Sequence, residues 1–159
     1  MTQKRKILFL CTGNSCRSQM AQGLMSKLGG ERFEAFSAGS YPSGYVHPLA
    51  IKTMNEMGID ISQNVSKSLD QYIGIPWNFI ITVCDDAREA CPVFPGGHIT
   101  AHWGFEDPAK FVGGEAETRQ FFREIARQIE RRIQLFLALP EEKLSALEYE
   151  KAVKKIGDQ

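Results

Sequence analysis

The side chains with the most chemical reach in this chain of 159 residues are four thiols, Cys11, Cys16, Cys84 and Cys91. The first two lie in Cys11-Thr12-Gly13-Asn14-Ser15-Cys16-Arg17-Ser18, between the apolar run Ile7-Leu8-Phe9-Leu10 and a helical pattern. A loop in that position converges its N–H groups and a helix N-terminus on one spot, which suits a tetrahedral oxyanion. Gly13 and Asn14 are residue types that tolerate the left-handed backbone such a curl demands. Arg17 can return a planar fork to two oxygens of the bound anion. At the floor of this cradle Cys11 is expected to have a lowered pKa and to act as a thiolate, with Ser18 donating to its sulfur. The plainer alternative is a strand-to-helix turn holding two buried cysteines. No Gly-Lys-Ser/Thr follows, so the loop is not a Walker loop.

Two further groups could complete a reaction. Asp107-Pro108 places a carboxylic acid on a late loop, where it could protonate a leaving oxygen; on its own Asp-Pro is also a common turn. Cys84 and Cys91 stand seven residues apart across the polar, helix-favouring stretch Asp85 to Ala90, with Pro92 beyond. If that stretch is helical, a rise of ~1.5 Å per residue separates the two Cα atoms by about 10 Å. A disulfide spans at most ~7 Å between Cα atoms, so joining the pair requires the helix to unwind. Ordinary buried cysteines are one alternative. A zinc site of Cys84, Cys91, His98 and His102 is another, although the spacing does not match the usual C-x₂₋₄-C pairing. Cys16 reads as a small buried residue, and His47 as a surface or helix-start residue.

Composition narrows the setting. Nineteen basic residues balance nineteen acidic ones, so no net field draws the chain to nucleic acid or membrane. Lys4-Arg5-Lys6 precedes an apolar run too short for a secretory signal, and no stretch approaches the ~20 apolar residues of a membrane span. A cytoplasmic monomer is expected. There, cysteines are more often catalytic, redox-active or metal-binding than bridged.

The elements that must position these groups follow from periodicity. Residues 6–11, 33–38, 78–84 and 98–103 read as strands. Helices are expected from Arg17 to Leu28, stopped by Gly29-Gly30, and from Pro48, with Ala50, Ile51, Met54 and Met57 inward and Gly58 ending it. A third carries Phe122, Ile125, Ile129, Ile133 and Phe136 at helical spacing up to Pro140. Strands alternating with helices give an α/β fold, a four-stranded parallel sheet flanked by helices on both faces. Residues 1–140 form one domain in this reading. Residues 141–159 are either a short helix through Leu144, Leu147, Val153 and Ile156 or a frayed tail.

Strand plus CTGNSCRS resembles the phosphate-binding loop of the low-molecular-weight protein tyrosine phosphatase superfamily, over about residues 5–138. The resemblance implies Cys11 as nucleophile, Arg17 as anion clamp, Asn14 and Ser18 as loop-ordering residues, and Asp107 as general acid. Phosphatases of this superfamily typically follow the Asp-Pro with an aromatic that grips the phosphotyrosine ring; here Ala109-Lys110 follows. The pattern VxxCxDAxxxCP with HWGFEDPA downstream resembles more specifically the thioredoxin-coupled arsenate reductases. That implies reduction of arsenate to arsenite through a Cys11, Cys84, Cys91 relay, with thioredoxin or glutaredoxin as electron donor.

The alternatives are a tyrosine or small-ester phosphatase, and a non-catalytic oxyanion or metal sensor. Several reductases of this family hold a potassium ion beside the loop; where its ligands are expected stand Gln22, Val65 and Lys67. No cofactor is therefore expected. Lys67 is either a surrogate for the ion or a solvated surface lysine.

Overall fold

The computed structural model describes residues 3–84 and 94–158. Four strands, β1 (Arg5–Cys11), β2 (Phe33–Gly39), β3 (Phe79–Thr82) and β4 (Ile99–His102), form one sheet. Their order is β2-β1-β3-β4 and every pairing is parallel. Ile7, Leu8, Phe9 and Leu10 of β1 are all buried. Successive strand residues point to opposite faces, so both faces of the sheet are covered.

Helix α1 (Arg17–Gly29) follows the cysteine loop directly and packs against β1, β2, α2 (Pro48–Glu56) and α3 (Glu115–Leu137). Pro48 occupies the first turn of α2, and Gly58 takes a positive φ of 79° just beyond it. The α3 residues expected to face inward, Phe122, Ile125, Ile129, Ile133 and Phe136, are all buried, joined by Ala126. Each large side chain so buried stabilises the fold by roughly 1.5–3 kcal/mol before entropy costs. Phe136 is central: its ring lies 5.2 Å from Phe33, 5.2 Å from Phe79 and 5.8 Å from Trp103.

The C-terminal segment is a helix, α4 (Ala146–Lys155), continued by a 3-10 turn over Ile156–Asp158. Ser145 caps it: its hydroxyl accepts from the Glu148 amide while the Glu148 carboxylate accepts from the Ser145 amide. Its inward face is Tyr149, Val153 and Ile156. This corrects the expected stripe: Leu147 is 60% exposed, and the aromatic two positions on takes the core site. The segment is tethered to β1 by a bidentate pair, Arg5 to Glu141, both contacts at 2.6 Å. The stretch 85–93, with Cys91 and the expected switch helix, lies outside the described residues. No helix among the described residues is long and apolar enough to cross a membrane.

Candidate active site

β1 ends at Cys11 and α1 begins at Arg17, so the intervening loop must turn within five residues. Its carbonyls face outward and each finds a donor. Those of Cys11, Thr12, Gly13 and Ser15 accept from the amides of Ser40, Tyr41, Ser43 and His47, and the Ser66 hydroxyl also donates to Gly13. With the carbonyls tied outside, the loop amides turn in. The N-terminus of α1 has no side-chain cap, which leaves its first N–H groups for a bound anion. Gly39 is needed beside this loop, since a Cβ there would overlap the Thr12 carbonyl oxygen.

Asn14 is the positive-φ residue of the curl, at 48°, and it is wholly buried. Its amide N–H donates to Cys11 Sγ at 3.2 Å. Its side-chain nitrogen donates to Ser18 Oγ at 2.8 Å. The opposite end, Oδ1, accepts from the Lys67 amide at 2.9 Å, from Gln19 Nε2 at 3.0 Å and from Lys67 Nζ at 3.5 Å. Because those partners are donors only, the orientation of the Asn14 amide is fixed. The Ser18 hydroxyl lies 2.9 Å from Cys11 Sγ, as expected.

The thiol itself behaves differently from expectation. Burial pushes the Cys11 pKa up, against the Ser18 contacts and the Arg17 guanidinium, which pull it down. Cys16, buried as expected, is pushed up to about 12 by the same desolvation.

Arg17 reaches across to the late loop. One terminal nitrogen donates to the Phe105 carbonyl at 3.0 Å, and the other lies 3.5 Å from Asp107 Oδ2. Its Nε is buried without a hydrogen-bond partner among the described residues, a donor left for an incoming oxygen. Asp107 is anchored through Oδ1, which accepts from the Ala109 amide at 3.0 Å. Arg17 and Asp107 are thus brought together with Cys11 at the C-terminal edge of the sheet. Phe111, the next aromatic after Asp107, stacks on Phe121 at 4.9 Å.

Cys84 joins the same edge. Register pairs Leu10 with Thr82, and the Val83 amide continues the ladder to the Leu10 carbonyl at 2.8 Å. Strands lie about 4.8 Å apart, so the residues just past β3 flank those just past β1. Accordingly Cys84 Sγ lies 3.4 Å from Thr12 Oγ1 and is buried. His102, of the zinc alternative, turns instead to Thr82, with Nδ1 2.8 Å from Oγ1. Among the described residues no group of three or more His, Cys, Asp or Glu is placed to hold a metal.

A family described as low molecular weight phosphotyrosine protein phosphatase matches residues 6–150. The chain belongs to this family. An arsenate reductase of Halalkalibacterium halodurans is 44% identical over 133 residues, 84% of this chain and 95% of that protein. A solved arsenate reductase in a phosphate-binding state is 32% identical, with a TM-score of 0.67 over 84% of this chain and 97% of its own. A thioredoxin-dependent arsenate reductase of Corynebacterium glutamicum is also 32% identical, with a TM-score of 0.59, covering 84% of this chain and 64% of that one. As a member of the phosphatase family, the chain has the four-stranded parallel sheet read from its sequence.

Several contributors to this phosphatase-family cradle escaped the sequence reading. Gln19 donates through Nε2 to the Asn14 carbonyl at 3.2 Å and the Val65 carbonyl at 3.0 Å, besides Asn14 Oδ1. His47 begins α2, as its helix-start reading expected, with Nδ1 accepting from the Leu49 amide at 3.0 Å; what escaped is that its own amide donates to the Ser15 carbonyl of the loop. A polar residue in the first buried turn of α1 was the only signal for Gln19. Ser66 and Gly39 act through the loop backbone, which leaves no pattern in the sequence.

Proposed function

We propose that this chain reduces arsenate to arsenite, with Cys11 as nucleophile and Cys84 as the thiol that takes up the resulting bond. The observation carrying this reading is the second sulfur at the lip of the cradle, held against Thr12, the residue after Cys11. A phosphatase has no use for it. The kinship with arsenate reductases over most of their length supports the same reading.

The chemistry balances as follows. An arsenate dianion enters the ring of amides and Arg17. It accepts the Cys11 proton as the sulfur approaches arsenic. The thiolate attacks arsenic, and Asp107 gives a proton to an oxygen that leaves as water. Cys84 attacks Cys11 Sγ, its thiol proton passing to an oxygen of the departing arsenic group. The sulfur–arsenic bond breaks with its electron pair going to arsenic, so arsenic(V) becomes arsenic(III) and a Cys11–Cys84 disulfide forms. Cys91 then attacks Cys84, frees Cys11 and leaves a Cys84–Cys91 disulfide for a dithiol protein of the thioredoxin type, the donor named for the Corynebacterium relative.

The site does not fit a potassium ion. Lys67 Nζ donates to the Val65 carbonyl at 2.7 Å, and Lys67 and Gln19 together saturate the oxygens such an ion would need. Gln22, at the expected acidic position, accepts from the Ser37 hydroxyl at 2.5 Å. In this reading Lys67 and Gln19 perform the ion's ordering of Asn14.

The deciding experiment supplies purified protein with thioredoxin, thioredoxin reductase and NADPH. NADPH consumption that begins only on addition of arsenate supports the function; none under any arsenate concentration refutes it.

A further inference from the structure

The family match ends at residue 150, yet the residues after it grip the strand that leads to the acid loop. The Trp103 indole N–H donates to the Val153 carbonyl at 3.1 Å. Gly157 sits so close to the His102 carbonyl oxygen that a Cβ would overlap it. Arg132 of α3 donates to the Gly104 carbonyl at 2.8 Å and lays its guanidinium 4.4 Å from the Phe105 ring centroid. Phe105 in turn holds Arg17 through its carbonyl, two residues before Asp107.

Every residue from His102 to Phe105 is therefore held, two of the contacts coming from the C-terminal segment. We propose that Val153 and Gly157, together with Arg132 of α3, are positioning residues that set the acid loop over the cradle. The reason is mechanical. Past Phe105, whose amide donates to Val83, the loop leaves the sheet ladder. Without lateral contacts, residues 104–107 would rest on Arg17 and the single Phe105–Val83 bond. A carboxyl displaced by an ångström loses much of its value as a proton donor. The proposal rests on Asp107 serving as the acid in the function proposed above.

The test is a double-mutant cycle read alongside amide hydrogen exchange. Arg132→Gln and Gly157→Ala are each introduced into the wild type and into Asp107→Asn. In the wild-type background Arg132→Gln is expected to lower kcat for arsenate about tenfold while phosphate inhibition changes less than about twofold. In the Asp107→Asn background the same change should cost less than about twofold, because the group it positions is gone. Exchange across residues 103–107 should quicken while residues 7–11 keep their protection. Equal losses of kcat in both backgrounds, or unchanged exchange across 103–107, would overturn the proposal. Gly157→Ala, whose added Cβ would overlap the His102 carbonyl oxygen, gives the same pattern if Arg132→Gln does not fold. The cycle is repeated with para-nitrophenyl phosphate hydrolysis. A wild type that turns over only the ester refutes the functional reading while still deciding this one, and exchange decides it without any turnover.

Discussion

The Ser18 hydroxyl stands between two partners, 2.9 Å from the Cys11 sulfur and 2.8 Å from the Asn14 side-chain nitrogen. Because Asn14 donates to Ser18, the hydroxyl hydrogen is available to the sulfur once Cys11 loses its proton. Ser18→Ala should raise the Cys11 pKa further and slow its alkylation by iodoacetamide at pH 8 about tenfold, one unit of pKa being one decade of thiolate. An unchanged alkylation profile would remove Ser18 from the thiolate's support.

The relay predicts different trapped species. Cys84→Ser should stop turnover with at most a Cys11–arsenic adduct, whereas Cys91→Ser should accumulate a Cys11–Cys84 disulfide. Both are read by intact mass and peptide mapping after a single addition of arsenate. Cys11→Ser should abolish arsenate reduction and ester hydrolysis together. Full turnover by either relay variant would reduce Cys84 and Cys91 to structural residues.

Asp107→Asn removes the proton donor but leaves an oxygen to accept from the Ala109 amide. A loss of about a hundredfold or more in kcat is expected, with phosphate inhibition nearly unchanged. A rise in the inhibition constant equal to the fall in kcat would instead make Asp107 a binding residue acting on Arg17.

Lys67→Ala withdraws an ammonium from the Val65 carbonyl and Asn14 Oδ1. Oxyanion affinity should fall several-fold, and replacing potassium by choline should alter wild-type activity less than about twofold. Strong potassium activation of the wild type, with no effect of the substitution, would refute the surrogate role.

Alkaline pH should destabilise the fold through its buried thiols. Cys16 is raised from 9.0 to about 12, so the folded state binds more protons than the unfolded one between those values. Stability is then complete below the unfolded pKa and falls as pH rises above it. At pH 10 the Cys16 contribution amounts to a loss of about 1.4 kcal/mol. Urea midpoints at pH 8 and pH 10, compared between wild type and Cys16→Ala under reductant, should show a shallower decline in the variant.

Much of this was legible from residues that act through their own side chains. Cys11, Arg17 and Asp107 each carry a chemical signature, and the apolar periods of β1 and α3 place them. What escaped acts through the backbone or through long-range burial. Gly39, Ser66 and Gln19 serve a loop whose carbonyls they saturate, and hydrogen bonds to carbonyls impose no spacing rule on the chain. Leu147 and Tyr149 were misassigned because both are apolar and two positions apart. The neighbouring aromatic cluster, with Tyr149 6.1 Å from Phe79, decided which faced inward.

The strand order β2-β1-β3-β4 has a consequence for how the reaction is divided along the chain. From β1 the polypeptide winds outward through α1 to β2, and later returns to lay β3 on the other flank of β1. The nucleophile thus caps one strand of the seam and the second thiol follows its neighbour, yet more than seventy residues of chain separate them. In the proposed function, anion recognition then belongs to the first winding and the disulfide step to the second, so the two tasks fall on separate windings of one sheet.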